Sequence, residues 1–319
     1  MKIGQSEKGS NQSSGWIVKK SSRRARNATP QPAVLAPEPA RAGSPAAAWL
    51  SLAVFAQQVI PMDHSADLDR RFGGIARLYG DDALARFRRA HVCVVGVGGV
   101  GSWAVEALAR SAIGKLTLID LDNVAESNTN RQLPALDPLY GMAKVTALAE
   151  RVKAINPACE VTEIEDFVTE ENMDAMLGQG YDYIVDCIDS LKVKTAMAAW
   201  CARKRQRFIV SGGAGGQMDP SQIKLADLSE VTQDPLLSKL RYNLRRHHGF
   251  ARDGKKMGVP CVYSTEQLVY PQAQACDAGE ARGPQGLSCA GFGAGMVVTA
   301  SFGLFAASRV LTDLAKTKK

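Results

Sequence analysis

"HVCVVGVGGVGSWAVEALARS", residues 91–111, decides the fold of this chain. A short apolar run enters a glycine cluster, and a helical pattern leaves it. Gly96, Gly98 and Gly101 match GxGxxG between a strand and a helix. The first glycine makes the tight turn, the second lets backbone N–H groups approach phosphate, and the third permits close helix–strand packing. Gly99 removes one more side chain from that approach. The helix N-terminus adds a field that favours anions. A phosphate-bearing ligand is expected here, and both NAD and ATP fit.

Strands and helices alternate from this point. "HVCVVG", "KLTLID", "CEVTEIEDFV", "YDYIVDCID" and "RFIVSGG" read as strands. "GSWAVEALARSAIG", ended by Gly114, "MAKVTALAERVKAIN", "EENMDAMLGQG" and "VKTAMAAWCARKR" read as helices. Apolar strands separated by helices predict an α/β fold, a Rossmann-like, mostly parallel sheet flanked by helices. Ligands in such sheets lie beyond the carboxyl ends of the strands.

After residue 216 the rhythm changes. "QIKLADLS" and "CVYSTEQLVY" read as a C-terminal extension of antiparallel strands, separated by a polar, basic insert at 234–258. A glycine-rich stretch, 279–295, leads to a final apolar helix ending near Ala315. Its segment "GFGAGMVVTASFGLFAASRVL" carries no charge until Arg309 and by length could span a bilayer. A buried helix is the preferred expectation, because the αβ units otherwise leave a sheet face uncovered. Membrane contact is the lesser reading.

The net charge of +7 does not describe the folded part. Residues 1–61 hold eight Lys and Arg against Glu7 and Glu38, which leaves +1 for the rest. Residues 1–45 are rich in Ser, Ala, Pro, Arg and Gln and read as disordered. Residues 46–60 follow a basic region, as in a signal peptide, but are shorter than the roughly 20 residues of a membrane span. Residues 1–61 are therefore expected to be a disordered or spurious extension. Residues 62–319 form one unit, with a nucleotide-binding core at 91–216 and a substrate-binding part at 217–319. Seven scattered cysteines with no CxxC pair argue against a disulfide framework and against structural zinc. A reduced, cytoplasmic setting fits.

Asp120 ends the second strand, where a carboxylate can accept ribose hydroxyls. Three later features separate ATP from NAD. Asn128 and Arg131, in "DLDNVAESNTNRQ", follow Asp120 closely, and an arginine there binds phosphate oxygens in bidentate fashion. Lys144, in "GMAKV", can offset charge growing on a leaving pyrophosphate, although a lone lysine is usually a solvated one. Asp189, in "VDCIDS", can hold Mg²⁺ beside phosphates or simply cap the next helix. Asp186 reads as structural. Together these groups favour an adenylating site.

The combination "GVGGVG…LIDLDNV…SNTNRQ…GMAK…DCIDS" resembles the ubiquitin-activating-enzyme-like adenylases, the ThiF and MoeB superfamily. The similarity runs from about Arg71 to the C-terminus. "RFGGIARLYG", "SGGAGGQMDPSQI", "CVYSTEQLVYPQ" and "CAGFGAGMVVTASFG" resemble its branch of tRNA threonylcarbamoyladenosine dehydratases. The resemblance implies that ATP adenylates the threonyl carboxylate of a modified adenosine beside the tRNA anticodon. The neighbouring ureido group then closes a ring and expels AMP. It also implies phosphate contacts at Gly96, Gly98, Gly99 and Gly101, ribose at Asp120, triphosphate at Asn128, Arg131 and Lys144, and Mg²⁺ at Asp189. A homodimer and a sulfurtransferase-type partner belong to the same expectation.

Two departures stand out. The zinc-binding CxxC pairs of the ThiF and MoeB branch are absent, and Gly74 occupies the slot of an arginine that reaches the partner's ATP site. Arg71 and Arg77 are the nearest substitutes. Cys261 follows the crossover where some relatives carry a thiol nucleophile, but a buried structural cysteine is the expectation. In the insert, Lys239, Arg241, Arg245, Arg246, Arg252, Lys255 and Lys256 against Asp253 predict either an RNA-binding patch or a solvated basic helix face. Tyr242 could stack on a base. The rival functions are an adenylase for a ubiquitin-like sulfur carrier, an NAD-dependent oxidoreductase, and a non-catalytic RNA-binding module.

Overall fold

The computed structural model describes residues 66–252, 254–270 and 292–316. The extension expected at 1–61, most of the glycine-rich stretch at 279–295, Asp253 and Cys276 and Cys289 lie outside the described residues.

Two helices open the described chain, α1 (Leu68–Tyr79) and α2 (Asp81–Arg89), ahead of the alternating motif. Asp67 caps α1 by accepting from Arg70 N at 2.9 Å. The motif of the first stretch then appears as β1 (His91–Val95) and α3 (Gly101–Arg110). β2 (Lys115–Ile119), α4 (Lys144–Ile155), β3 (Glu160–Ile164), α5 (Met173–Leu177), β4 (Tyr183–Asp186), α6 (Leu191–Lys204) and β5 (Phe208–Ser211) continue the alternation. β6 (Ile223–Asp227), α7 (Pro235–His247), β7 (Pro260–Ser264) and α8 (Met296–Ala315) complete it.

One boundary differs from the expectation. α3 ends at Arg110 and not at Gly114, because Ala112 takes a positive φ of 63°. Gly114 has a different duty. A Cβ there would collide with the Arg88 carbonyl, so the chain passes tightly under α2.

The seven strands run in the order β3-β2-β1-β4-β5-β7-β6. All neighbours are parallel except β6 and β7. β6 is one edge strand, opposite β3, and it belongs to the antiparallel extension expected after residue 216. β7 pairs with it antiparallel but with β5 parallel, so the extension continues the main sheet. The order reverses between β1 and β4, and the crevice outside their carboxyl ends is where such sheets bind ligands.

Alternate strand residues feed two cores. Val92, Val94, Leu116, Leu118 and Val185 pack under α3, α4 and α8. Cys93, Val95, Ile184, Val210 and Cys261 pack under α5, α6 and α7. The basic insert contributes a full helix to this second face. Leu236, Leu237, Leu240 and Leu244 of α7 are buried at helical spacing, each worth about 1.5–3 kcal/mol of burial.

α8 is long and apolar enough to cross a membrane. In this fold Val298, Phe302, Ala306, Val310 and Leu314 are buried in the first core. Gly303 lets it lie against α3, since a Cβ there would press on Val100 O and Ala104 N. The packed helix agrees with the preferred expectation.

Candidate nucleotide site

The site begins with what the glycines allow. Gly96 has φ +82°, and a Cβ on it would lie 3.0 Å from Ile188 Cγ2 and 3.1 Å from the Cys187 carbonyl carbon. A Cβ on Gly101 would collide with the Gly96 carbonyl. These two positions are therefore imposed by packing. Gly98 and Gly99 are only lightly crowded, with Gln132 Nε2 at 3.5 Å and Arg131 Cγ at 3.3 Å from their Cβ positions. Among the described residues neither glycine's N–H donates a backbone hydrogen bond. Two unspent donors at the start of α3 form a cradle suited to phosphate.

The loop after β2 arranges polar groups around this turn. Asp120 Oδ2 accepts from Val97 N at 2.8 Å, and its Oδ1 accepts from Asp122 N at 3.0 Å. Asp122 Oδ2 in turn accepts from Lys144 Nζ at 2.7 Å. Lys144 opens α4 and is only 4% exposed, so the solvated-lysine alternative is overturned. One hydrogen-bonded chain thus links Lys144 to the glycine turn, and its middle member, Asp122, carries no signal in the sequence that sets it apart.

Arg131 packs its stem on Gly99 and donates from Nη1 to Ser127 O and Asn130 Oδ1, both at 2.9 Å. Asn128 Oδ1 accepts from Ala125 N at 3.2 Å and shapes the loop. Asn130 Nδ2 donates to Ala294 O at 2.7 Å and Met296 N donates to Asn130 O at 3.0 Å, which ties the start of α8 to the same loop.

Asp189 is exposed in the turn between β4 and α6, beside the Cys187–Ile188 segment that covers Gly96. No group of three or more potential metal ligands occurs among the described residues. A single exposed carboxylate beside the glycine turn suits Mg²⁺ better than an ion needing a closed protein cage, because Mg²⁺ keeps waters and leans on substrate phosphates.

Asp186 is structural, as expected, and ionic. It is 1% exposed, and its Oδ1 lies 2.8 Å from the fully buried Lys194 Nζ. Burial pushes its carboxyl up, against the pull of Lys194. Oδ1 also accepts from Ile188 N at 3.2 Å, which shapes the turn carrying Asp189. Sequence spacing could have flagged Lys194, eight residues on, only if α6 were known to turn it back under the sheet.

Three buried side-chain oxygens lack a partner among the described residues: Gln132 Oε1, Asp186 Oδ2 and Gln217 Oε1. Asp186 ends β4, and the two glutamines follow the carboxyl ends of β2 and β5. Such orphans are uncommon in a folded core and collect where function tolerates them.

Other expected features separate from this site. Cys261 is fully buried and its thiol is pushed well up by that burial, which matches a buried structural cysteine. The basic insert is divided. Arg241 donates to Leu228 O and Val231 O at 3.0 and 2.7 Å, Arg245 to Ala251 O at 3.1 Å, and Arg252 to Arg245 O at 3.1 Å. Lys256 lies 3.7 Å from Glu230. Lys239, Arg246 and Lys255 remain exposed, with Arg246 stacked 5.6 Å over the ring of the exposed Tyr242. Arg71 donates to Ala154 O and Ile155 O at 3.2 and 2.7 Å and so caps α4 of its own chain. Cavities of about 450 and 540 Å³ lie at the start of α7 and between α1 and α2, away from the glycine turn.

The profile of the ThiF family matches residues 71–314. The chain belongs to the ThiF family. A relative from Haemophilus influenzae, a tRNA threonylcarbamoyladenosine dehydratase, is 50% identical over 253 residues, which is 78% of this chain and 95% of that one. The ThiF fold seen here is also similar to the crystal structure of the Escherichia coli tRNA N6-threonylcarbamoyladenosine dehydratase in complex with ATP. That likeness has a TM-score of 0.70 and 48% identity, and covers 78% of this chain and 96% of that one. The same E. coli protein in complex with AMP gives a TM-score of 0.71 at 48% identity, with the same shares covered.

Proposed function

We propose that this ThiF-family chain is an ATP-dependent tRNA threonylcarbamoyladenosine dehydratase. The observation that carries the reading is half-identity to the H. influenzae dehydratase across nearly its whole length. The geometry supports it: unspent glycine N–H donors with Arg131 and the buried Lys144 around them suit a polyphosphate better than a nicotinamide.

The reaction follows from acyl chemistry. The threonyl carboxylate attacks the α-phosphorus of ATP, a P–O bond forms, and pyrophosphate leaves. The ureido nitrogen then attacks the activated carbonyl, loses its proton, and AMP departs. The net change is loss of one water, driven by cleavage of ATP. Closure is intramolecular, so orientation supplies much of the acceleration. No protein thiol is needed, in keeping with the buried Cys261.

Gly98 and Gly99 hold the phosphates, Asp120 the ribose, and Arg131, Asn128 and Lys144 the triphosphate. Arg131 and Lys144 neutralise charge developing on the departing pyrophosphate. Asp189 would hold Mg²⁺, which would supply positive charge to offset that of the phosphates. Exposed Lys239, Arg246 and Lys255 contact tRNA phosphates, and Tyr242 offers a stacking face. A homodimer, a cytoplasmic setting, a sulfurtransferase-type partner, an extension at 1–61 and a single adenylation unit at 62–319 belong to the same proposal.

The deciding experiment incubates the protein with ATP, Mg²⁺ and tRNA bearing threonylcarbamoyladenosine. The nucleoside should lose the mass of one water only when ATP is present. Unchanged mass under conditions where ATP binds ends the assignment.

A further inference from the structure

One polar side chain at the glycine turn is not explained by internal contacts. Gln132 is 8% exposed, and its Oε1 is buried with no hydrogen-bond partner among the described residues. Its backbone is fixed, with Gln132 N donating to Asn128 O at 2.9 Å and Ala135 N to Gln132 O at 3.2 Å. Its Nε2 lies 3.5 Å, and its Cδ 4.0 Å, from the place a Cβ on Gly98 would occupy. The nitrogen, and not the oxygen, therefore faces the bend.

A leucine or methionine of similar volume would fill this position without stranding a buried oxygen. Stability alone does not account for an amide here. Its surroundings do. Arg131 lays its stem on Gly99 while Gln132 sets an N–H donor over Gly98, so two consecutive residues cover two consecutive glycines. Among the described residues the N–H groups of both glycines are unspent in backbone bonding.

We propose that Gln132 is a nucleotide-contacting residue, its Nε2 donating to the phosphate chain of ATP bound at the Gly98–Gly99 turn. The inference rests on the ATP-dependent reading above. Arg131 contributes charge at this turn, and Gln132 contributes a neutral donor whose contact is much less screened by salt.

Calorimetric titration of ATP, AMP and adenosine into wild type, Gln132→Leu and Gln132→Glu tests the proposal. Gln132→Leu should weaken ATP and AMP by on the order of tenfold, as expected for one hydrogen bond to a charged group. Gln132→Glu should weaken them further, because a carboxylate would face the phosphates. Adenosine, which has no phosphate, should bind both variants as it binds wild type. Gln132→Leu should unfold at or above the wild-type temperature, since it removes an unpaired oxygen. Equal ATP affinity in wild type and folded Gln132→Leu overturns the proposal. Failure of wild type to bind ATP overturns the ATP-dependent reading as well, and is a separate result. Should either variant fail to fold, the wild-type chain crystallised with ATP decides. Nε2 within hydrogen-bond distance of a phosphate oxygen supports the contact, and an amide turned away overturns it.

Discussion

Lys144 Nζ lies 2.7 Å from Asp122 Oδ2, with the lysine side chain 5% exposed and the aspartate 59% exposed. The cation is therefore held in place from its solvent side, while its stem is buried at the start of α4. Lys144→Ala should lower ATP-dependent turnover by about 100-fold, the scale of removing one preorganised electrostatic group. Asp122→Asn should keep the lysine but loosen it, with a drop nearer tenfold. Circular dichroism should report both variants as folded. Wild-type rates in Lys144→Ala would remove this residue from the site.

Asp186 and Lys194 form an ion pair closed off from water, with side chains 2% and 0% exposed. Breaking such a pair strands a charge, whereas replacing both partners does not. Lys194→Met should destabilise the fold by about 3–5 kcal/mol in urea unfolding. Adding Asp186→Leu should recover most of that stability. If the double variant is no more stable than Lys194→Met, the pair is not the source of the cost.

The four glycines of the turn should respond differently to a methyl group. Gly101→Ala forces its Cβ into the Gly96 carbonyl and should cost about 1–3 kcal/mol as backbone shifts to relieve it. Gly98→Ala meets only the Gln132 amide, with Nε2 nearest at 3.5 Å, so stability should move by less than about 0.5–1 kcal/mol. Its ATP affinity should nevertheless fall, because the methyl covers the N–H donors. Paired unfolding and binding measurements separate the two effects.

Glu106 joins α3 to α4, accepting from Arg151 Nε at 2.6 Å, Arg151 Nη2 at 2.9 Å and Arg110 Nε at 2.7 Å. Burial pushes its carboxyl up, but the hydrogen bonds from Arg151 and Arg110 outweigh it and hold the group below the usual carboxylate range. A lowered folded-state pKa gives stability present above the unfolded pKa and lost as pH falls through the folded one. Glu106→Gln should therefore cost about 1–2 kcal/mol at neutral pH, discounted because both arginines are partly exposed. The gap between variant and wild type should shrink below about pH 4. A gap independent of pH would mean that packing, and not charge, accounts for the effect.

Among the cations of the insert, those that are exposed and hold no carbonyl or carboxylate among the described residues should matter most for RNA. Replacing Lys239, Arg246 and Lys255 by Ala should weaken tRNA binding at low salt. The salt slope should flatten by about one for each phosphate that is no longer neutralised. Arg241→Ala should instead lower stability, because its guanidinium is bonded to Leu228 O and Val231 O. Filter binding across a salt series, beside thermal unfolding, distinguishes these roles.

Much of this protein is legible along the chain. The spacing of Gly96, Gly98 and Gly101 determined a strand–turn–helix, since those backbone demands are local. The alternation of apolar strands with helices determined the parallel sheet for the same reason, and the uncovered sheet face that it implied favoured a packed final helix over a membrane span. Asp120, Arg131 and Lys144 could be placed at one edge because each follows a strand or opens a helix. Only the tertiary structure decided what each polar group touches. The partners Asp122–Lys144, Asp186–Lys194 and Gln132–Gly98 lie 22, 8 and 34 positions apart in sequence. They meet because sheet order and helix packing bring them together, and neither is a local property. The same holds for the insert, whose positive residues look alike in sequence. Burial of the α7 leucine face turned Arg241 back onto carbonyls and left Lys239 and Arg246 in water.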